Sequence, residues 1–446
     1  MTWIARAKVG PAAVAQTVLA RFFILFINLG TSVFTARHFG TEGRGTQAAL
    51  GLWMPILTYL FMIGLPSGLR FQGRKHQQDQ GDLLGASMII ALVIGVFTAI
   101  VGIAAMPLLL KHYPAITIYQ ARTIMLFAPI NILGLVFSAM LEVKLDFTFA
   151  NFSRYAPPIA TLVTLVTLAS LHHLTPYSAA LSYVIPASIV GTITGIYVLR
   201  ITRATFSRFF IAARRILGYG VRISGADILN TFSSQIDQLL VIGFLSAGQL
   251  GAYTVALQAS RVLTIFQVSL NSVLLPKAAG LPTHRVIALV ARTARLTIAV
   301  TMLAAIALVV LMPLLLPGLY GRDFRAAILV SQILAFEAVL SAASATHTQA
   351  FTATNRPTMA TIFQFAGLAT AIPLMLELIP RFGITGAGMA LTASSFVRLV
   401  IALLCYPFLL KVPIPRIIIT REDISYLIDS LRSKRSPAYT PVEPVT

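Results

Sequence analysis

The sequence has few of the residues that build redox, metal and catalytic centres. Its 446 residues include one cysteine, Cys405, seven histidines and only 14 acidic residues. A single cysteine excludes an internal disulfide and a cysteine-based metal site. His172 and His173 form the only histidine pair, and neither a carboxylate nor a cysteine lies near them in the sequence, so they do not form a metal-ligand pattern. A GxxxxGK motif is also missing, which excludes ATP hydrolysis by a P-loop. The sequence therefore predicts no metal, no cofactor and no catalytic constellation.

Charged residues are also scarce, at 11% of the chain, whereas hydrophobic residues make up 57% and the mean hydropathy is +0.84. Such values lie far outside the range of a soluble globular domain and indicate a polytopic membrane protein. Apolar stretches of this length can cross the roughly 30 Å core of a bilayer as helices. Twelve such spans are predicted, at residues 12–37, 47–69, 85–110, 119–141, 155–174, 177–200, 218–245, 251–276, 293–317, 325–350, 358–379 and 386–410.

The net charge of +20 follows the topology of a membrane protein. With both termini in the cytoplasm, most of the 34 lysines and arginines fall on the inner side, as the positive-inside rule requires. Nucleic-acid binding is not needed to explain this charge. On the outer side the basic residues are only Arg37, Arg44, Lys111, Arg122, Arg322, Arg325 and Arg381. The basic residues left within spans are Arg21, Arg261 and Arg398.

A repeat divides the chain into two halves. The pentapeptide MPLLL begins at Met106 and again at Met312, and the same offset of 206 residues carries Gly45 onto Gly251. Because each half has six spans, the two copies share one orientation and substrate is expected between them. The predicted fold is an all-α polytopic membrane protein with twelve transmembrane helices in two pseudo-symmetric six-helix bundles around a central cavity. The predicted domains are an N-terminal bundle (1–200), a basic interfacial linker (201–217), a C-terminal bundle (218–410) and a cytoplasmic tail (411–446).

Charged and polar residues recur on single helical faces inside the spans. The repeat offset makes Arg21 equivalent to Asp227, and counting residues from the turn at Leu245 puts Asp237 and Arg261 at similar depths. Arg398 lies at a depth similar to that of Glu337. Charges in such places normally face a partner or a water-filled cavity. Two interpretations stay open: the charges neutralise one another for insertion and packing, or they handle a charged substrate.

Six segments together resemble the Wzx-type polysaccharide repeat-unit flippases of the multidrug/oligosaccharidyl-lipid/polysaccharide exporter superfamily. These segments are TARHFGTEGRGTQAAL (35–50), GLPSGLRF (64–71), QIDQLLVIGFLSAGQLGAYTVA (235–256), MPLLLPGLYGRDFRAA (312–327), ATNRPTMA (353–360) and GITGAGMALTASS (383–395). The resemblance implies a V-shaped pair of six-helix bundles that moves an oligosaccharide linked to undecaprenyl diphosphate across the bacterial inner membrane by alternating access, for surface or exopolysaccharide biosynthesis. It also implies contacts with membrane lipids and with polysaccharide polymerase and assembly proteins.

The predicted site follows from this resemblance and from the polar faces. Family members commonly have a cationic cavity, which Arg21, Arg261 and Arg398 would provide, and arginine forks match phosphate oxygens in pairs. The predicted substrate-binding residues are Arg21, Arg261, Arg398, Asn28 and Gln258, and the predicted charge-coupling residues are Asp227, Asp237 and Glu337.

Three functions stay open at this point. The first is the lipid-linked oligosaccharide flippase. The second is a cation-coupled multidrug or small-solute exporter of the same superfamily. The third is a membrane enzyme of glycan assembly, which is disfavoured because the predicted outer loops carry only Glu42 and Asp323 as acidic residues.

Overall fold

The computed structural model describes residues 11–264, 267–268, 282–417 and 419, with side chains from residue 23 onward except those of residues 147 and 226. Most of the predicted cytoplasmic tail lies outside these residues. The helices within them are α1 (Pro11–Phe61), α2 (Leu65–Lys75), α3 (Gln80–Leu109), α4 (Ala115–Met125), α5 (Ala128–Lys144), α6 (Phe147–Ser170), α7 (Pro176–Ile201), α8 (Phe209–Phe244), α9 (Ala247–Arg261), α10 (Thr283–Tyr320), α11 (Ala327–Ala353), α12 (Thr358–Phe382) and α13 (Ile384–Cys405). Short 3₁₀ turns (Gln77–Asp79, Arg322–Ala326) precede α3 and α11, and a π-helical turn (Tyr406–Leu410) follows α13.

The fold is an all-α polytopic membrane fold, as the sequence predicts. Seven helices of the described part are long and apolar enough to cross a membrane, and the bent pair of α1 and α2 makes eight. The count of twelve spans remains a prediction. The side chains of Leu303, Val310 and Leu314 on α10 are 71–73% exposed and follow helical spacing, so they form an outward apolar stripe suited to lipid.

α1 consists of two helices, the first two predicted spans, which meet directly at Gly40. The backbone leaves helical geometry there, with φ 66° and ψ −168°. A residue with a side chain adopts this region only at a cost, so glycine fits the turn. The chain folds back at this point, because Arg44 contacts Ser32, twelve residues earlier. The predicted outer turn is therefore at Gly40, and Arg44 and Gly45 lie in the second helix, where the side chain of Arg44 is buried instead of lying in an outer loop. A second bend of 47° separates α1 from α2 and includes Gly64, at φ 64°.

The two predicted halves meet closely at the side that the sequence predicts to face outward. A Cβ atom on Gly45 would overlap the carbonyl oxygen of Ala247, and one on Gly251 would overlap that of Thr41. The side chain of Arg37 also donates hydrogen bonds to the carbonyls of Leu319, at 2.6 Å, and Gly318. We call these contacts the outer seal. The repeat-related glycines thus face each other where α1 crosses α9. A large buried apolar cluster surrounds this crossing and includes Leu50, Trp53, Tyr253, Leu316 and Phe324.

The segment before α8 is fastened to the start of α3. Thr205 Oγ1 donates a hydrogen bond of 2.6 Å to Asp82, and Ser207 Oγ donates one of 3.0 Å to the same carboxylate. Arg215 forms an ion pair of 2.6 Å with Asp79. Since α8 begins at Phe209, the second part of the predicted linker is continuous with the helix that follows it.

Asp146 fixes the start of α6. Its carboxylate accepts hydrogen bonds from the Tyr197 hydroxyl, at 2.7 Å, and from the backbone N–H of Phe149, at 3.1 Å. Both bonds favour the charged form, the Tyr197 bond most strongly, and they lower the pKa of Asp146 from its ordinary value of 3.8. The folded state thus gains stability from the carboxylate above that value, and this stability is lost as pH falls through the lowered pKa.

Replacing this cap is the first test of the fold. Asp146→Ala is expected to lower the free energy of unfolding by about 1 kcal/mol, the usual effect of losing an N-cap. Asp146→Asn keeps a capping oxygen and is expected to retain most of the stability near neutral pH. Thermal unfolding of the purified protein at neutral and acidic pH measures both variants. A loss in Asp146→Ala that is equally large at acidic pH would contradict the proposed role of the charge.

Candidate functional site

Four adjoining pockets form a polar central cavity. Two of them have walls from both predicted halves, and the other two are lined by the C-terminal half alone. The junction pocket, of about 470 Å³, contains Asn28, Tyr183, Gln258 and Arg261. The charged pocket, of about 260 Å³, contains Asp237, Arg261, Glu337 and Arg398. The inner pocket, of about 380 Å³, contains Arg70, Asp227, Asn230 and Ser234, and the fourth pocket, of about 310 Å³, contains Asn230, Ser341, Gln364 and Arg398. Shared walls join them, because Arg261, Ser234, Asn230 and Arg398 each line two pockets.

Arg398 and Glu337 are joined in the charged pocket through a serine. Ser395 Oγ donates a hydrogen bond of 2.6 Å to Glu337 and accepts one of 3.1 Å from Arg398. Arg398 also donates to Ser341 Oγ and to Gln364 Oε1, each at 3.1 Å. The equal depth predicted for Arg398 and Glu337 therefore corresponds to a real network between α11, α12 and α13. This network surrounds a half-buried cation with a carboxylate and three neutral oxygens.

Asp237 has a different partner from the one considered in the sequence analysis. Its side chain is 3% exposed and accepts a hydrogen bond of 2.8 Å from the Tyr253 hydroxyl. Arg261 is close enough to act on Asp237 electrostatically, but it is not among the ion pairs of the described residues. Asp237 and Arg261 are therefore not an ion pair. The reason is depth along the hairpin: α8 ends at Phe244 and α9 begins at Ala247, so Asp237 is level with Tyr253, whereas Arg261 lies about two turns further along α9.

Arg261 is an exposed cation of the central cavity. It ends α9, is exposed, and lines both the junction and charged pockets. Within the part of the chain that the structure describes, its guanidinium has neither an ion pair nor a hydrogen bond. Asn28 on α1 and Gln258, one turn earlier on α9, line the same junction pocket. The structure thus brings together three of the five predicted substrate-binding residues.

The inner pocket holds Asp227 beside α2. Ser67 Oγ lies 3.5 Å from its carboxylate and donates to it. Arg70 also lines this pocket, but it forms an ion pair of 2.6 Å with Glu142. The side chain of Arg21 lies outside the described side chains, so its opposition to Asp227 and its role in the site stay predictions.

Three further side chains belong to the site and were not predicted. Gln364 and Ser395 hold Arg398, and Tyr183 lines the junction pocket. Ser395 lies three residues before Arg398, so helical spacing could have indicated it. Among the described residues no group of three or more His, Cys, Asp or Glu side chains could hold a metal ion.

The comparisons with known proteins agree on a transporter fold. A family model described as "Polysaccharide biosynthesis protein" matches residues 55–329. No curated protein matches the sequence significantly.

Solved structures match over nearly the whole chain. The lipid II flippase MurJ in an inward closed conformation has a TM-score of 0.75 and 14% identity, with 94% of this chain and 93% of that chain covered. An inward-facing multidrug resistance MATE family transporter of the MOP superfamily has a TM-score of 0.66 and 13% identity, covering 94% and 100%. The MATE multidrug transporter DinF-BH in complex with R6G has a TM-score of 0.61 and 14% identity, covering 90% and 96%. Likeness at these identities shows the fold alone.

Proposed function

The chain belongs to the polysaccharide biosynthesis protein family, and on that premise we propose that it is a flippase for an oligosaccharide repeat unit linked to undecaprenyl diphosphate. It carries this unit across the bacterial inner membrane by alternating access, for surface or exopolysaccharide biosynthesis. Both termini lie in the cytoplasm, and polysaccharide polymerase and assembly proteins are its partners. It is a transporter, not an enzyme.

The observation that carries the proposal is the guanidinium of Arg261 in the central cavity. Since Arg261 forms no ion pair or hydrogen bond among the described residues, its guanidinium is available to an anionic ligand that enters the cavity. A diphosphate is such a ligand, since its oxygens match an arginine fork in pairs. Arg261 is exposed and lines two pockets, so a large head group can approach it.

The remaining walls suit the sugar part of the substrate. Asn28 and Gln258 in the junction pocket, and Asn230 and Ser234 in the inner pocket, offer neutral donors and acceptors for hydroxyl groups. The polyprenyl chain is as apolar as lipid, so it stays in the bilayer while the head group passes through the cavity.

The carboxylates have a second task in this proposal. Asp237 lies within electrostatic range of Arg261, and Glu337 within that of Arg398. A bound diphosphate would compete with them for the arginines, and Asp227 would do the same near Arg21. This exchange of partners makes the packing between helices depend on whether substrate is bound. Such a dependence is what allows a ligand to shift a conformational equilibrium.

Replacing Arg261 tests the proposed function. Arg261→Gln is expected to lower both the affinity for undecaprenyl diphosphate and surface polysaccharide output by about tenfold to a hundredfold, because charge-assisted hydrogen bonds contribute about 1.5–3 kcal/mol each. Binding is measured on the purified protein, and output is measured in a deletion strain at equal protein levels. The matched control is Arg381→Gln, which removes an exposed arginine paired with Glu377 on α12. If Arg261→Gln behaves like this control in both assays, Arg261 does not bind the diphosphate.

A cation-coupled multidrug or small-solute exporter is the second candidate. It is favoured by the carboxylates Asp237 and Glu337 in one pocket and by the likeness in fold to MATE transporters. A gain in drug resistance on expression, together with normal surface polysaccharide in the deletion strain, would select this function over the flippase.

A further inference from the structure

Arg44 is a buried arginine just behind the outer seal. Its side chain is 6% exposed. Nη1 donates a hydrogen bond of 2.8 Å to Gln47 Oε1, and Nη2 lies 3.5 Å from Ser32 Oγ. Nε has no hydrogen-bond partner, and Arg44 is not among the ion pairs of the described residues. Only neutral oxygens therefore hold this guanidinium.

Such an arrangement is unfavourable for a purely structural residue. Buried charges are normally paired, because burial disfavours a charge that has no countercharge. Two neutral groups, Tyr183 and Tyr320, lie within electrostatic range of Arg44, and the Tyr320 hydroxyl has no hydrogen-bond partner in the described part of the chain. Among the described residues, no carboxylate lies within ion-pair distance of Arg44.

Arg44 lies next to the path that leads outward from Arg261. Its acceptor Ser32 follows Asn28 by four residues on α1, which is about one helical turn or roughly 5 Å further out. Asn28 and Tyr183 line the junction pocket together with Arg261. On its other side, Arg44 precedes Gly45, where α1 and α9 touch in the outer seal. When α1 and α9 separate there, the Arg44 side chain is uncovered toward the junction pocket.

We propose that Arg44 is a second, exit-side binding site for the anionic group of the substrate, used after Arg261 and only when the outer seal is open. The inference rests on the proposed function, because it assumes that a diphosphate moves outward past Arg261. If Arg44 pairs with the substrate only in the open state, the substrate binds the open state more tightly than the closed state. This difference in affinity shifts the equilibrium toward the open seal. In the closed state the guanidinium of Arg44 is bound to neutral acceptors, and a diphosphate replaces them when the seal opens.

The test compares undecaprenyl diphosphate binding with the seal closed and with the seal held open. Gly45→Ala holds it open, since the added Cβ overlaps the Ala247 carbonyl. In that background, Arg44→Gln is expected to weaken binding by about tenfold, the effect of losing a charge-assisted hydrogen bond. Arg44→Lys keeps the charge and is expected to recover at least about a third of the affinity. In the background with Gly45 intact, Arg44→Gln is expected to change affinity much less, because Arg261 makes the contact there.

The controls separate this inference from the proposed function. Arg322→Gln removes another arginine from the outer side, an exposed one, and is expected to behave like its parent in both backgrounds. Equal affinities of Gly45→Ala with and without Arg44→Gln would overturn the exit-side site. An equal loss in both backgrounds would also overturn it, since Arg44 would then act on the cavity as a whole. If Arg261→Gln retains full binding, the flippase proposal fails whatever Arg44 does.

Discussion

Gly45→Ala is expected to leave the protein inserted in the membrane but unable to close its outer seal, with transport lowered by about a hundredfold. The new Cβ would overlap the backbone carbonyl of Ala247, and a backbone group cannot rotate away as a side chain can. Overpacking of this kind costs about 1–3 kcal/mol or more, and about 3 kcal/mol corresponds to a hundredfold shift between closed and open states. Gly251→Ala meets the carbonyl of Thr41 from the other helix and is expected to have the same effect.

The opening can be measured with one cysteine in the central cavity. Cys405 is replaced by serine, and Ile24, which lines the junction pocket, is replaced by cysteine. A membrane-impermeant thiol reagent added from outside should label this cysteine much faster in Gly45→Ala than in the parent protein. The matched control is Gly51→Ala, also on α1, where an added Cβ meets nothing within 4 Å. Slow labelling in Gly45→Ala, or equally fast labelling in Gly51→Ala, would show that the glycine crossing does not govern closure.

Arg398→Met is expected to produce the largest loss of stability. It removes the cation of the charged pocket and leaves the half-buried Glu337 with Ser395 as its donor. Removing one partner of a fully buried ion pair costs about 3–5 kcal/mol; because both groups are half-buried and a serine lies between them, we expect a loss of about 3 kcal/mol or less. The measurement is the thermal unfolding midpoint of the purified protein, together with its yield from membranes.

A double variant shows whether the loss comes from the uncompensated carboxylate. Arg398→Met combined with Glu337→Gln removes both charges and is expected to regain much of the stability, because a neutral amide is easier to bury than a charged group. If Arg398 also contacts substrate, the double variant is not expected to regain transport when it regains stability. Arg381→Met is the surface counterpart on α12, paired with Glu377, and such exposed pairs contribute only about 0–1 kcal/mol. A double variant no more stable than Arg398→Met alone would contradict the coupling of Arg398 to Glu337.

Helical periodicity predicted which residues face the cavity. Asn230 and Ser234 on α8, and Ser341 with Glu337 on α11, were placed on single faces from their spacing, and the structure puts them in the pocket walls. The reason is that a helix in a bilayer has few ways to satisfy polar side chains, so they converge on the interior. The all-α membrane fold followed from composition for the same physical reason.

Contacts that depend on where a helix begins, or on how two helices cross, could not be obtained from the sequence. Depth counting placed Asp237 level with Arg261 because it treated the residues up to Gly251 as a turn, but α9 begins at Ala247, so Tyr253 is level with the carboxylate and binds it. Arg44 was assigned to an outer loop because the predicted spans stop on either side of it. The second helix of α1 begins directly after Gly40, so Arg44 lies within that helix and is buried instead. The repeat likewise identified Gly45 and Gly251 as equivalent without indicating that they touch.

The chemistry of the outer seal bears on the source of energy for transport. The Arg37 guanidinium donates to the carbonyls of Leu319 and Gly318, and the adjoining crossing is made by glycines, so these contacts contain no group that titrates near neutral pH. These hydrogen bonds therefore do not respond directly to the acidity of the outer medium. We expect protonmotive coupling to enter through the carboxylates of the cavity, and opening of the seal to follow the position of the substrate.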